Sequence, residues 1–262
     1  MWRRLTPLFL APLLIASPVA ARHADPLGDG WMRFEVAAAG RTLAAAMPSE
    51  VQTGQILTIV IEGDGRAHDR RGRASPDPTP DRAIGRELAE AWPDPAAWLA
   101  RPCQYVQDPA CKPADWTTHR FSEAAVAMTD AAVSALMARA GAKQVRLVGW
   151  SGGGVMATLV AARRADVAGL VTIAAPLDLK AWTRSRGLSP LQGLDPADLP
   201  PIPAPQLHLT GAFDPVVRPA VVKETAQRLA GPRGLVETWP ERHDCCWVAR
   251  VDEIAAGLDS QP

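Results

Sequence analysis

A serine set between glycines is the first feature of this chain that can do chemistry. Gly149-Trp150-Ser151-Gly152-Gly153 fits G-x-S-x-G, following the strand-like run Lys143 to Trp150 and preceding a helical stretch from Val155 to Arg164. Glycines on either side let the backbone double back without a Cβ clash. The hydroxyl then projects at the top of a sheet, and the amide of Gly152 points where an oxyanion would form. A Gly-rich turn of this kind could also cradle a phosphate, but G-K-[ST] and the G-x-G-x-x-G register are both missing. Serine is a weak nucleophile until a base takes its proton and an acid orients that base. Candidates for both lie downstream. Asp214 sits a few residues beyond the run Gln206 to Thr210, and His243 follows the last such run, Leu235 to Trp239. Of the five histidines only His243 has that position. His208 lies within a strand, as a core or flanking residue would, and His23, His68 and His119 fall on loops or helix starts. Asp178 is the rival acid, because it follows the preceding strand.

Elements that must position these residues can be read along the chain. Met32 to Ala39 and Arg41 to Met47 are candidate strands of an opening hairpin. Gln55 to Ile61 is β-branched with almost no polar interruption, as a strand buried on both faces should be. A loop rich in Arg, Gly and Pro runs from Arg66 to Pro80, a helix is expected over Arg82 to Trp92, and a strand over Ala97 to Tyr105, interrupted by Pro102. Ser122 to Ala140 reads as a long Ala-rich helix with Ser122 as N-cap and Gly141 as its stop. Gly169 to Ala174 is a further strand, and Asp178 to Pro205 holds a short helix and a Pro-rich stretch suited to a cap or crossing loop. Strands alternating with helices imply a mostly parallel sheet covered on both faces, with ligand sites at the carboxyl ends of its strands.

Composition narrows the classes. The chain has 262 residues, 47% of them hydrophobic, enough to bury a substantial core. Lys+Arg and Asp+Glu balance at 28 each, so there is no net basic field to hold a polyanion, which argues against a nucleic-acid partner. Arg3 and Arg4 precede an apolar run from Leu5 to Ile15, and Val19 and Ala21 stand third and first before a cut at Arg22, as in a secretory signal peptide over residues 1–21. The apolar run is shorter than the ~20 residues a membrane span needs. A periplasmic or secreted location, with no stable span after cleavage, is the expectation. In an oxidising compartment Cys103, Cys111, Cys245 and Cys246 read as disulfide partners rather than metal ligands. Cys103 with Cys111 closes a short loop and is the preferred pair. That leaves adjacent Cys245 and Cys246 as a vicinal bridge, as thiols, or each paired with one of the first two.

With Ser, Asp and His each following its own strand in that order, the chain resembles the α/β-hydrolases across nearly all of residues 22–262. The resemblance implies an α/β fold with a mostly parallel central sheet, helices on both faces and a small cap segment. Carried over by position, Ser151 is the nucleophile, His243 the general base and then acid, and Asp214, in a G-x-x-D-x-x-V setting, the group that fixes the imidazole tautomer. It also places the second oxyanion donor after the strand Gln55 to Ile61. Many relatives carry His-Gly there, whereas this chain has Glu62-Gly63-Asp64-Gly65, so the amide of Asp64 would join that of Gly152. These carboxylates could equally form a solvated turn. Trp150, Trp182 and Trp247 are candidates for the walls of an apolar acyl pocket, although a tryptophan more often packs in a core. Arg101-Pro102-Cys103-Gln104-Tyr105, Cys111, Trp116, His119-Arg120-Phe121 and His243-Asp244-Cys245-Cys246-Trp247 are similar to segments of exported bacterial α/β-hydrolases without an assigned substrate. The implied activity is cleavage of a small-molecule carboxylic ester, or of a thioester or amide, with no metal and no organic cofactor. A peptidase of the same fold, or a catalytically silent binding protein on it, is the alternative.

Overall fold

Ile56–Ile61 forms a strand whose residues from Leu57 onward are all buried, because it lies in the middle of a sheet with a layer on each face. Leu57, Ile59 and Ile61 belong to one apolar cluster and Val60 to the other, the period of two that a covered strand imposes. The computed structural model describes residues 27–51, 55–106 and 108–260. The leader read over residues 1–21 lies outside the described residues.

Eight strands make one sheet: β1 (Trp31–Ala38), β2 (Arg41–Pro48), β3 (Ile56–Ile61), β4 (Ala96–Leu99), β5 (Gln144–Trp150), β6 (Val167–Ile173), β7 (Gln206–Gly211) and β8 (Leu235–Trp239). Their spatial order is β1-β2-β4-β3-β5-β6-β7-β8. β1 and β2 pair antiparallel through the two-residue turn Ala39-Gly40, whose φ values of 49° and 77° match the twist of a hairpin. β2 pairs antiparallel with β4, and from β4 through β8 every neighbour is parallel. All parallel strands therefore end at the same edge, where the loops after β3, β5, β7 and β8 converge.

Helices α1 (Ile84–Ala91) and α7 (Val251–Asp259) cover one face, and α3 (Glu123–Ala140), α4 (Gly152–Ala161) and α6 (Lys223–Ala230) the other. α5 (Leu179–Arg186) adds Leu179 and Trp182 to the second of these layers, and the short α2 (Pro113–Trp116) precedes α3. α3 starts and stops where its caps require: the Ser122 hydroxyl accepts from the Ala125 N–H at 3.2 Å, and Gly141 takes φ 69°. The segment from Asp178 to Pro205 carries α5 and then the Pro-rich stretch, which Ile202 ties to the end of α6 through the Leu229 carbonyl.

Two expectations shift. The strand expected over Ala97 to Tyr105 is Ala96–Leu99, because Cys103 and Tyr105 adopt φ values of 71° and 60° and Gln104 turns back onto the Arg101 carbonyl. The helix expected from Val155 to Arg164 begins at Gly152 and ends at Ala161. A Cβ on Gly153 would lie 2.2 Å from the Ile61 carbonyl oxygen, so the smallness of that glycine seats the helix on β3. Helices α2, α6 and α7 carry too short an apolar pattern to have been anticipated.

Candidate active site

Ser151 occupies the turn between β5 and α4 with φ 54° and ψ −124°, a conformation that L-residues avoid and that costs on the order of 1–3 kcal/mol. Neighbours hold it there. Its N–H donates to the Ile173 carbonyl at the end of β6 (2.8 Å), and a Cβ on Gly149 would sit 2.2 Å from the Gly153 carbonyl oxygen. The hydroxyl thereby stands at the carboxyl edge of the sheet.

His243 reaches it from the loop after β8. Its Nε2 lies 3.1 Å from Ser151 Oγ, and its Nδ1 lies 2.7 Å from Asp214 Oδ2. An ionised carboxylate only accepts, so Nδ1 bears the proton and Nε2 presents its lone pair to the serine hydroxyl. Asp214 is held in turn: its side chain is sealed from solvent, and Oδ1 accepts from the N–H groups of Val216 and Val217 at 2.7 and 2.8 Å. Asp178, the rival acid, is spent elsewhere, since its carboxylate caps α5 by accepting the Ala181 N–H at 2.7 Å. His208 is fully buried between Thr172 and Gln206, and burial pushes its imidazole down to about 4, so it is a neutral core group. His68 lies on the wall of the cleft in front of Ser151.

Two tryptophans hold the histidine loop by its backbone. Trp150 Nε1 donates to the His243 carbonyl at 2.8 Å, and its ring tilts against the imidazole at 5.2 Å between centroids. Trp247 Nε1 donates to the carbonyls of Arg242 and His243 at 3.0 and 3.1 Å. Trp150 and Trp182 line the cleft, which has a volume of about 490 Å³. Trp247 does not line it. It is buried under the histidine loop with its ring stacked on Trp239, because its N–H finds two carbonyl acceptors there while its rings fill the layer between the sheet and α7.

Opposite the histidine, the loop Glu62-Gly63-Asp64 follows β3. It is no solvated turn. Glu62 is wholly buried and accepts four N–H donors, those of Gly63, Gly85, Arg86 and the Trp98 indole, at 2.9 to 3.2 Å. Burial pushes its carboxyl above the ordinary range against the pull of those donors. Its oxygens lock the loop to the start of α1 and to β4. Gln104 Nε2 holds the loop from the other side through the Gly63 carbonyl at 2.9 Å. The carboxylate of Asp64 receives Arg101 Nη1 at 3.0 Å and Arg120 Nη1 at 3.3 Å. A Cβ on Gly152 would meet Asp64 Oδ1 at 2.0 Å, so only glycine lets this loop approach the start of α4. The N–H groups of Asp64 and Gly152 have no protein acceptor among the described residues.

Glu62, Arg101, Gln104 and Arg120 are supporting residues that the sequence reading quotes, in the loop after β3 and in the segments of the resemblance, without giving them a role. The signals were present as charged and amide side chains beside Pro102 and ahead of α3, but their partners lie far away in sequence. Cys103 and Cys111 are bridged, with Cα atoms 5.8 Å apart, and close the loop that carries Gln104. Cys245 and Cys246 are bridged to each other, which excludes the cross-pairings that the spacing left open. Among the described residues, no cluster of three or more His, Cys, Asp or Glu side chains could hold a metal ion, and no helix is long and apolar enough to cross a membrane.

No family model matches the sequence, and no curated protein matches it. Solved structures do match. A cold-adapted esterase from an Arctic intertidal metagenomic library superposes with TM-score 0.62 at 15% identity, over 90% of this chain and 95% of that one. An alpha-beta serine hydrolase homologue from Coxiella burnetii gives 0.54 at 18% identity, over 87% and 95%. Puromycin hydrolase gives 0.61 at 17% identity, over 91% of this chain and 40% of that one. With one eight-stranded, mostly parallel sheet in this strand order, helices on both faces and a serine at the turn after β5, the protein has the α/β-hydrolase fold.

Proposed function

We propose that this protein is an exported serine hydrolase that cleaves a carboxylic ester, and by the same chemistry a thioester or amide, through an acyl-enzyme. The observation that carries the reading is the hydrogen-bonded line from Ser151 Oγ to His243 Nε2 at 3.1 Å and from His243 Nδ1 to Asp214 Oδ2 at 2.7 Å, opening on a cleft. His243 takes the hydroxyl proton as Oγ attacks the carbonyl carbon. The carbonyl oxygen gains the charge and receives the N–H groups of Gly152 and Asp64, each such donor contributing roughly 10²–10³ in rate. Asp214 stabilises the imidazolium, which then gives its proton to the leaving oxygen as the C–O bond breaks. Water repeats the sequence to free the acid and the serine. The esterases among the structural matches support an ester substrate, and the bridged Cys103 and Cys111 suit an oxidising compartment.

A fluorophosphonate probe and a series of p-nitrophenyl esters test this reading. The wild-type protein should be labelled and should release p-nitrophenol, and Ser151→Ala should do neither while remaining folded. Absence of labelling in the wild type would favour the silent binding protein instead. Amino-terminal sequencing of the exported protein should begin at Arg22.

A further inference from the structure

Arg120 is 7% exposed, yet it lines the cleft that opens on Ser151. A guanidinium has five N–H donors and never loses its charge in a protein, so each donor needs an acceptor once water is removed. Among the described residues only one is provided: Nη1 faces Asp64 Oδ2 at 3.3 Å. Arg101 draws on the same carboxylate at 3.0 Å and sends its Nη2 to the Arg120 carbonyl at 2.7 Å. Among the described residues Asp64 is the carboxylate in ion-pair contact with both guanidinium groups, and Glu62 behind it spends its oxygens on four N–H groups rather than on Arg120. The Nε of Arg120 is sealed without a partner, whereas its Nη2, also without a protein acceptor among the described residues, is not sealed. The indole of Trp182, 5.9 Å from Cζ, faces the guanidinium from the cleft wall.

The other cations on that wall differ. Arg82 forks onto Glu87 at 2.8 and 2.5 Å, and Arg66 pairs with Asp81 at 3.5 Å in an exposed position. Of these three, Arg120 combines deep burial, a carboxylate partner shared with Arg101 and an N–H without a protein acceptor among the described residues.

We propose that Arg120 is the receptor for an anionic group on the acyl part of the substrate, so that the preferred substrate is an ester whose acyl chain bears a carboxylate. The acyl side is indicated because Arg120 is tied through Asp64 to the loop that receives the carbonyl oxygen, whereas the leaving group must face His243 to collect its proton. A carboxylate would take the unused Nη2–H in a charge-assisted hydrogen bond and relieve Asp64 of serving both guanidinium groups by itself.

The inference rests on the hydrolase reading of Ser151, and the test separates the two. The p-nitrophenyl monoester of glutaric acid is compared with its methyl ester, which has the same acyl chain without the charge. Wild-type kcat/KM should favour the charged ester about tenfold or more, the order expected of a charge-assisted hydrogen bond. Arg120→Met should bring the ratio towards one, and Arg120→Lys should fall between, since it keeps the charge and loses the fork. A wild-type ratio of one or below overturns the proposal whether or not the variants fold, as does an unchanged ratio in folded Arg120→Met. If neither ester is cleaved and the fluorophosphonate does not label Ser151, the hydrolase reading fails instead. Calorimetry of monomethyl glutarate on the Ser151→Ala protein then decides the Arg120 site by itself: binding that dimethyl glutarate does not reproduce supports it, and equal binding or none overturns it.

Discussion

At the scale of single residues, the two aspartates that follow neighbouring strands have different work. Asp214 holds the Nδ1 proton of His243, so Asp214→Asn should present an amide where a carboxylate is needed and favour the wrong imidazole tautomer, lowering kcat by about 10⁴-fold. Asp178 accepts a helix N–H instead. Its Asn variant should leave turnover within a few-fold of wild type, and Asp178→Ala should cost stability by about 1 kcal/mol, the loss of an N-cap. Steady-state kinetics and urea unfolding of the variants side by side check both, and a larger kinetic loss in Asp178→Asn would reassign the acid. Trp150 is a positioning residue of another kind, because its indole N–H holds the backbone of His243 rather than its ring. Trp150→Phe keeps the apolar body and removes that donor. It should lower kcat, by up to about 10²-fold for a displacement near 1 Å, with a smaller change in KM.

At the scale of elements, the loop after β3 has no regular structure of its own and takes its shape from its neighbours. Glu62 binds it to α1 and β4, and Gln104 binds it to the loop that Cys103 and Cys111 close. Replacing both cysteines by serine should therefore destabilise the protein by about 2–3 kcal/mol, the loop-closure entropy of so short a ring. It should also lower kcat in the protein that remains folded, because the Gly63 carbonyl loses a fixed donor and the Asp64 amide its register. Urea unfolding measures the first effect, and turnover well below the unfolding midpoint measures the second. A stability loss with wild-type kcat would mean that this bridge supports the fold alone.

At the scale of the whole molecule, stability should depend on pH through a core group that does not line the cleft. His208 titrates at about 4 when folded against 6.5 ordinarily, so the folded state binds fewer protons. Its contribution is complete above about pH 6.5 and is lost as pH falls through 4, amounting to about 3 kcal/mol between pH 7 and pH 4. Glu62, raised by burial, acts in the opposite sense, its contribution being lost as pH rises. Comparison of wild type with His208→Leu isolates the first effect: the difference in urea-unfolding free energy should move in the variant's favour by that amount on acidification. What the sequence determined by itself was local. The glycine-flanked turn at Ser151, the period-two burial of β3 and the capped length of α3 each follow from sterics and solvation within a few residues. The placement of Asp214 and His243 after successive strands was legible for the same reason. Only the tertiary structure decided which groups meet. His243 is 29 residues from Asp214 and 92 from Ser151, and Arg101 is 37 from Asp64. Such contacts depend on the order and register of parallel strands, which hydrogen bonds between distant segments establish. The burial of Trp247 beneath the histidine loop, the locking of Glu62 behind the Asp64 amide and the open donor of Arg120 therefore became visible only when the sheet was assembled.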